Sequence, residues 1–429
     1  MKPSRTWFDH LSAKNQTLQN TGKTVVLATL ALTLLTVVPL YYLSLGYFPS
    51  FLWFRSSRST SASLSRGHGG IQQSTGLPSS KQCDLFTGEW IPNPDAPSYT
   101  NSTCFTIHDE QNCMKFGRPD TEYMKWRWKP DGCELPVFNP LQFFELVRGK
   151  SMAFVGDSIG RNQMESLMCL LSSVEQPVEY QTLRWRYPTY NFTIANVWAP
   201  FIVKSKAADP DGPVYTALFN LYLDEFDDDW IKVVVDFDYV ILAAEHWFFR
   251  PTMFYEKGQL VGCYLCRQEN VTDLSSAYSY SKAYRTAFRA LNSLQGFQGI
   301  TFLRTFSPQH FENGFWNEGG RCVRTRPYKS SETRLEGLPL EMYLAQTDEF
   351  KVAEREGRKR GLKFRLLDIT FTSLLRPDAH PNNYGHWPRE NVTFYNDCSH
   401  WCLPGAIDTW NDLLLQMMKM EAGRSFDGS

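Results

Sequence analysis

Two short strings hold the residue types for nucleophilic acyl chemistry. Phe154-Val155-Gly156-Asp157-Ser158-Ile159-Gly160 places a serine where an apolar run gives way to a helical pattern. Asn396-Asp397-Cys398-Ser399-His400-Trp401-Cys402 places an acid just ahead of an imidazole. A serine hydroxyl is a poor nucleophile until a base takes its proton, and the base needs a third group to fix its tautomer. Ser158, His400 and Asp397 are the residue types for those roles, with Asp397 holding one ring nitrogen and leaving the other for the hydroxyl. At a strand-to-helix junction, the unpaired N–H groups of the first turn can receive an oxyanion. The backbone N–H of Ser158 is the donor we expect first, with Gly156, Asp157, Arg161, Asn162 and Gln163 as further oxyanion or substrate candidates. The plainer alternative is that Ser158 only caps its helix. His108, His380 and His386 compete with His400 as bases.

Elements must carry the two strings to one place. Residues 151–155 form an apolar run and read as a buried strand, while Met164, Leu167, Met168 and Leu171 recur at helical spacing. Further strands are expected over 231–235, 239–244, 300–305 and 362–368, and helices over 281–294 and 340–358. Strands separated by helices imply right-handed crossovers and a parallel sheet, so the expected class is α/β. Gly156 to Gly160 also fits the G-x-S-x-G elbow, but that turn normally follows several strands of its sheet, and one obvious strand precedes Ser158. A flavodoxin-like sheet with the nucleophile after its first strand fits better. Ligands then gather outside the carboxyl ends of the strands.

The chain has 429 residues, with 44 Lys and Arg against 45 Asp and Glu. That balance leaves no basic excess for binding nucleic acid by counterion release. At 42% hydrophobic and 21% charged it is not a disordered chain either. An uncharged apolar run over 24–48 is long enough to cross a bilayer, and Lys2, Arg5, Lys14 and Lys23 before it favour a cytosolic tail at 1–23. A cleaved signal peptide is the alternative. Residues 49–82 read as a flexible stem, 83–135 as a small cysteine-rich lobe, and 136–429 as the large domain. Cys83, Cys104, Cys113, Cys133, Cys169, Cys263, Cys266, Cys322, Cys398 and Cys402 all follow the apolar run, which reads as a disulfide framework in an oxidising lumen. Cys398 or Cys402 is expected to bond outside its own loop and hold Asp397 and His400 against the sheet. Zinc ligation by Cys263 and Cys266 or by Cys398-Ser-His-Trp-Cys402 is the alternative, but no second Cys-x-x-Cys pair with ribbon spacing follows, so no metal is expected. Asn101, Asn191, Asn270 and Asn391 begin N-glycosylation sequons. No phosphate-binding loop of the P-loop type is present, so nucleotide chemistry has no support.

Gly-Asp-Ser followed late by Asp-x-x-His resembles the SGNH/GDSL hydrolase superfamily. Four longer strings narrow this: Cys83-Asp-Leu-Phe-Thr-Gly-Glu-Trp90, Trp126-Arg-Trp-Lys-Pro130, Gly156-Asp-Ser-Ile-Gly-Arg-Asn-Gln163 and Asp397-Cys-Ser-His-Trp-Cys-Leu-Pro-Gly405. From Cys83 onward the chain resembles the plant trichome birefringence-like polysaccharide O-acetyltransferases. The resemblance implies an SGNH-like parallel sheet, a type II anchor in the Golgi membrane with a lumenal catalytic domain, and Ser158, Asp397 and His400 as nucleophile and partners. It further implies a cell-wall polysaccharide acceptor, other wall-synthesis proteins as candidate partners, and an acetyl donor (acetyl-CoA or an acetylated intermediate) with no tightly bound cofactor. Family members often have Gly-His-Trp after the central strand, where this chain has Glu245-His246-Trp247. Trp247 to Pro251 is closest to the xyloglucan-acetylating subgroup, which makes side-chain galactose of xyloglucan the expected acceptor. Xylan, mannan or pectin acceptors, an acetylesterase, and a non-catalytic glycan-binding scaffold are the competing readings. The scaffold draws on Trp126, Trp128, Trp247, Trp316 and Trp401, whose indoles can stack on sugars; His246, Trp247 and Trp401 are the expected site walls.

Overall fold

The computed structural model describes residues 83–209, 211, 218–388 and 394–426. The expected tail, membrane span and stem, and the sequon at Asn391, lie outside the described residues. Among those described, no helix is long and apolar enough to cross a membrane.

The described residues open with an antiparallel pair, β1 (Asp84–Pro92) and β2 (Trp126–Asp131). Helix α1 (Pro140–Val147) then starts on Asn139, whose side chain accepts from Gln142 N, with proline in the first turn where its missing N–H costs nothing. Strand β3 (Ser151–Gly156) is buried almost throughout and alternates as a strand should. Met152 and Phe154 join the core on one face of the sheet, and Ala153 and Val155 the core on the other. Helix α2 (Ser158–Leu171) follows at once. Next come β4 (Val178–Gln181), β5 (Arg184–Tyr187), β6 (Phe192–Trp198), β7 (Val203–Ala207), β8 (Phe219–Phe226), α3 (Asp228–Val234) and β9 (Tyr239–Ala243). The rest comprises β10 (Thr252–Glu256), β11 (Gln259–Tyr264), α4 (Ser276–Ser293), β12 (Ile300–Arg304), α5 (Gly337–Arg358), β13 (Lys363–Leu367), α6 (Thr370–Leu374) and α7 (Asp408–Phe426).

The main sheet runs β13-β12-β9-β3-β6-β5-β4. Its parallel strands β3, β6, β9, β12 and β13 stand in the order 2-1-3-4-5, the flavodoxin-like order expected from the sequence. The chain leaves β3 for a neighbour on one side and returns to β9 on the other, so the carboxyl end of β3 lies at the switch point. Gly156 is required there by close approach: a Cβ would sit 2.4 Å from Ala243 O.

One expected strand is wrong. Residues 231–235 are largely helical, in α3, because Asp227 caps that helix through Asp229 N and Trp230, Ile231 and Val234 turn inward on one face. A second sheet, ordered β11-β10-β8-β7, was not anticipated.

All ten cysteines pair: Cys83 with Cys133, Cys104 with Cys169, Cys113 with Cys402, Cys263 with Cys266, and Cys322 with Cys398. Both cysteines flanking His400 therefore bond outside their loop, as expected. The pairing of Cys263 with Cys266 removes the thiolates a zinc site would need.

Candidate active site

Asp157 is the cap of α2: its Oδ1 accepts from Ile159 N at 3.1 Å. Ser158 is thereby released from capping, and its hydroxyl lies 2.7 Å from His400 Nε2. On the other side of the ring, His400 Nδ1 donates to Asp397 Oδ2 at 2.8 Å. Asp397 Oδ1 accepts from the backbone N–H groups of Ser399 and His400 at 3.0 and 2.9 Å, which curls the loop around the carboxylate. The two strings thus meet across 242 residues. A fixed tautomer with Nε2 facing a hydroxyl is the geometry of a general base.

Electrostatics reinforce this arrangement. Burial alone pushes Asp397 up, but the facing imidazole and the hydrogen bonds from His400 and Ser399 hold it well below the ordinary carboxylate range. Burial pulls His400 down, yet the Asp397 charge and hydrogen bond outweigh it and leave the imidazole more basic than usual. Arg161, one helical turn past Ser158, opposes that rise. Its guanidinium also pairs with Glu165 at 3.5 Å, while burial raises Glu165 to about 7.

The remaining candidates divide sharply. Asp157 Oδ2 accepts from Glu245 N and His246 N at 2.9 and 2.8 Å, tying the end of β3 to the turn after β9. Asp157 is a buried positioning residue rather than a substrate contact. Asn162 is fully buried and clamps the histidine loop, with Oδ1 accepting from Trp401 N at 2.8 Å and Nδ2 donating to Trp401 O at 3.3 Å. Gln163 turns away to Asn411 on α7 and is also fully buried. Neither can touch substrate, which corrects that expectation. Gly156 serves strand approach, as above. Arg161 remains partly exposed beside the site.

Trp401 is not a site wall. Its indole is fully buried, lies against His380 with centroids 4.2 Å apart at a tilt of 33°, and donates from Nε1 to Ser307 Oγ. Trp128 is buried too, its Nε1 donating to Leu85 O. Trp126 and Trp247 are half-buried, and Trp316 is exposed. His246 donates from Nε2 to Ser307 O at 2.9 Å, which commits that ring nitrogen to structure, while Nδ1 is buried without a hydrogen-bond partner. Glu245 forms a buried ion pair with Arg304 at 2.8 Å, and its other oxygen accepts from Ser307 N. Burial pushes Glu245 up, and Arg304 opposes that. Removing one partner of such a pair costs about 3–5 kcal/mol, which explains a glutamate at this turn without any catalytic role.

The competing bases are engaged with other partners, and none of them is hydrogen-bonded to Ser158. His380 is buried, with Nδ1 2.6 Å from His400 O and Nε2 2.7 Å from His310 Nδ1. Burial pushes it well below the usual imidazole range. His108 lies 3.8 Å from Glu110, and His386 stacks on Phe394. Sequence reasoning missed Ser307, Arg304 and Asn411, which act through tertiary contacts that no local spacing announces. The sequons at Asn101, Asn191 and Asn270 begin on residues that are at least partly exposed. Among the described residues, no group of three or more His, Cys, Asp or Glu side chains is placed to hold a metal.

A switch-point serine hydrogen-bonded to a histidine, itself hydrogen-bonded to an aspartate, is an arrangement suited to acyl chemistry, and comparison with known families points the same way. Residues 135–417 match the GDSL/SGNH-like acyl-esterase family found in Pmr5 and Cas1p, and residues 81–134 match the PMR5 N-terminal domain. The chain belongs to this family. More narrowly it falls among the trichome birefringence-like proteins. It is 50% identical to protein trichome birefringence-like 19 of Arabidopsis thaliana over 94% of this chain and 95% of that protein. It is 43% identical to xyloglucan O-acetyltransferase 4 of Populus trichocarpa, covering 79% of this chain and 81% of the relative. Xyloglucan O-acetyltransferase 2 of Arabidopsis thaliana is 40% identical, covering 79% and 83%.

Proposed function

We propose that the protein is a Golgi-lumenal O-acetyltransferase that carries acetyl on Ser158 and delivers it to a hydroxyl of a plant cell-wall hemicellulose, with xyloglucan side-chain galactose the favoured acceptor. The observation that carries this reading is the unbroken run from Ser158 Oγ through His400 to Asp397. Xyloglucan O-acetyltransferases among the relatives support the acceptor. Five disulfides support an oxidising compartment, and the apolar run at 24–48 supports a membrane anchor.

Two displacements complete the reaction. His400 Nε2 takes the Ser158 proton as Oγ attacks the donor's acetyl carbonyl, and the Ser158 N–H at the start of α2 receives the oxyanion. The acetyl–donor bond breaks, and His400 returns its proton to the departing thiol or alcohol. A sugar hydroxyl then loses its proton to His400 and attacks the acetyl-serine, and Oγ leaves with that proton. Asp397 stays ionised throughout, compensating the imidazolium formed in each half.

The test supplies acetyl-CoA and a xyloglucan oligosaccharide to the full-length protein, following sugar mass and free acetate together. Acetylated oligosaccharide is expected, and Ser158→Ala should abolish it while leaving the fold intact. Acetate release without acetylated sugar would mark an esterase. Acetylated sugar still formed by Ser158→Ala would overturn Ser158 as the acetyl carrier, and glycan binding with no acetylation or acetate release by the parent protein would leave the scaffold reading.

A further inference from the structure

We infer that Trp198, propped by Trp247, is the platform on which a pyranose ring of the acceptor stacks during transfer. Trp198 is the last residue of β6, and the register sets it directly opposite Gly156, two residues before the nucleophile. The link continues past the strand, where Ala199 N donates to Gly156 O at 2.9 Å. Neighbouring strands lie about 4.8 Å apart, so the Trp198 backbone stands one strand away from the end of β3. Yet Trp198 is 44% exposed, a large apolar residue left in water at the carboxyl edge of the sheet, where ligands of this fold bind.

The indole is also held in place. Trp247 meets it edge-on, with centroids 5.3 Å apart at 84°. Trp247 is itself wedged against Phe201 and Phe219, and the Arg250 guanidinium lies 3.9 Å over its ring. The turn that bears Trp247 is fixed by the two hydrogen bonds to Asp157, the residue before the nucleophile. Ser158 and the two tryptophans are therefore positioned by one hydrogen-bonded frame. A rigid aromatic face loses little entropy on binding, which suits a platform.

An uncharged, hydroxyl-rich ring matches this surface. Its C–H face covers the indole, while its hydroxyls project at the rim toward the serine. An aromatic ring of the acetyl donor is the other conceivable occupant, and the two act in different halves of the reaction. The inference rests on the reading of Ser158 as acetyl carrier, so the experiment separates them.

Full-length protein is compared with Trp198→Ala and Trp198→Phe in two assays. Acetylation of Ser158 by acetyl-CoA alone is followed by intact mass, and transfer to a xyloglucan oligosaccharide by initial rates. Trp198→Ala should raise the acceptor KM about tenfold or more, with a smaller change in kcat, and Trp198→Phe should recover most of the loss. An unchanged acceptor KM would overturn the platform, as would a loss confined to acetylation by the donor. Oligosaccharide binding to Ser158→Ala, with and without Trp198→Ala, requires no chemistry. Weaker binding in the double variant supports the platform even if no acetyl-serine forms and the transferase reading fails, and equal binding removes it.

Discussion

At the scale of single residues, the site turns on how Asp397 sets the basicity of His400. Its charge and hydrogen bond outweigh the burial that lowers His400, so the imidazole titrates above the ordinary value of 6.5. The base must be unprotonated to accept from Ser158. Activity is therefore absent on the acid side and rises with pH through a midpoint above that ordinary value. Asp397→Asn should move the midpoint of the kcat/KM profile downward and, by leaving the wrong tautomer and an uncompensated imidazolium, cut kcat by about 10³–10⁴-fold. A midpoint that stays fixed would show that Asp397 does not set the basicity. These three residues were legible because their chemistry is local: an acid and an imidazole one turn apart, and a serine at a strand end. Asn162, Gln163 and Trp401 misled for the converse reason. Nearness in sequence to Ser158 or His400 says nothing about which way a side chain turns. On α2, Gln163 faces α7 and Asn162 the histidine loop, and the Trp401 indole is bonded to Ser307 rather than turned to the site.

At the scale of elements, β3 is the piece that cannot give. It pairs with β6 on one edge and β9 on the other, and both ends of its final residue are committed. Gly156→Ala would drive a Cβ to 2.4 Å from Ala243 O and 2.5 Å from Ala243 C, both backbone atoms of a central strand. The strands must part or the turn must rotate, and overpacking of this kind costs about 1–3 kcal/mol. The expected outcome is a lower Tm together with loss of the Ser158–His400 contact. Rapid loss of acetylation at a temperature where circular dichroism still shows folded protein would check it. An alanine variant with unaltered Tm and rate would mean the strand edge is softer than this. The central strands were readable because burial on both faces leaves uninterrupted apolar runs. Residues 231–235 were not: Ile-Lys-Val-Val-Val has strand composition, and the cap at Asp227 decided the matter. The second sheet escaped because β7 and β8 carry charged and polar residues throughout, which blurs their alternation.

At the scale of the whole molecule, residues 83–135 brace the histidine loop rather than stand apart from it. Arg118 donates to the carbonyls of Asp378 and His380, and Asn382 pairs with Asp397 through two backbone hydrogen bonds. Leu403 N donates to Gln111 O, and Cys402 N to Ala379 O, so the loop carrying His400 is laced to both segments. The Cys113–Cys402 disulfide closes this lacing across 289 residues, whereas Cys263–Cys266 spans 3 at the edge of the second sheet. Loop-closure entropy grows with the logarithm of loop length, so the long bridge should contribute about 2–5 kcal/mol and the short one much less. Two double variants compare them directly. Cys113→Ala with Cys402→Ala should lower Tm by several degrees and depress acetylation of Ser158 even well below that Tm, because Trp401, Asn162 and His400 lose a common anchor. Cys263→Ala with Cys266→Ala should leave the rate near that of the parent, since that bridge closes a three-residue turn at the end of β11 and does not tie the histidine loop to another segment. Should the long-bridge variant match the parent in both Tm and acetylation rate, the hydrogen bonds made with Gln111 O, Arg118 and Asn162 would suffice on their own to hold His400 against Ser158.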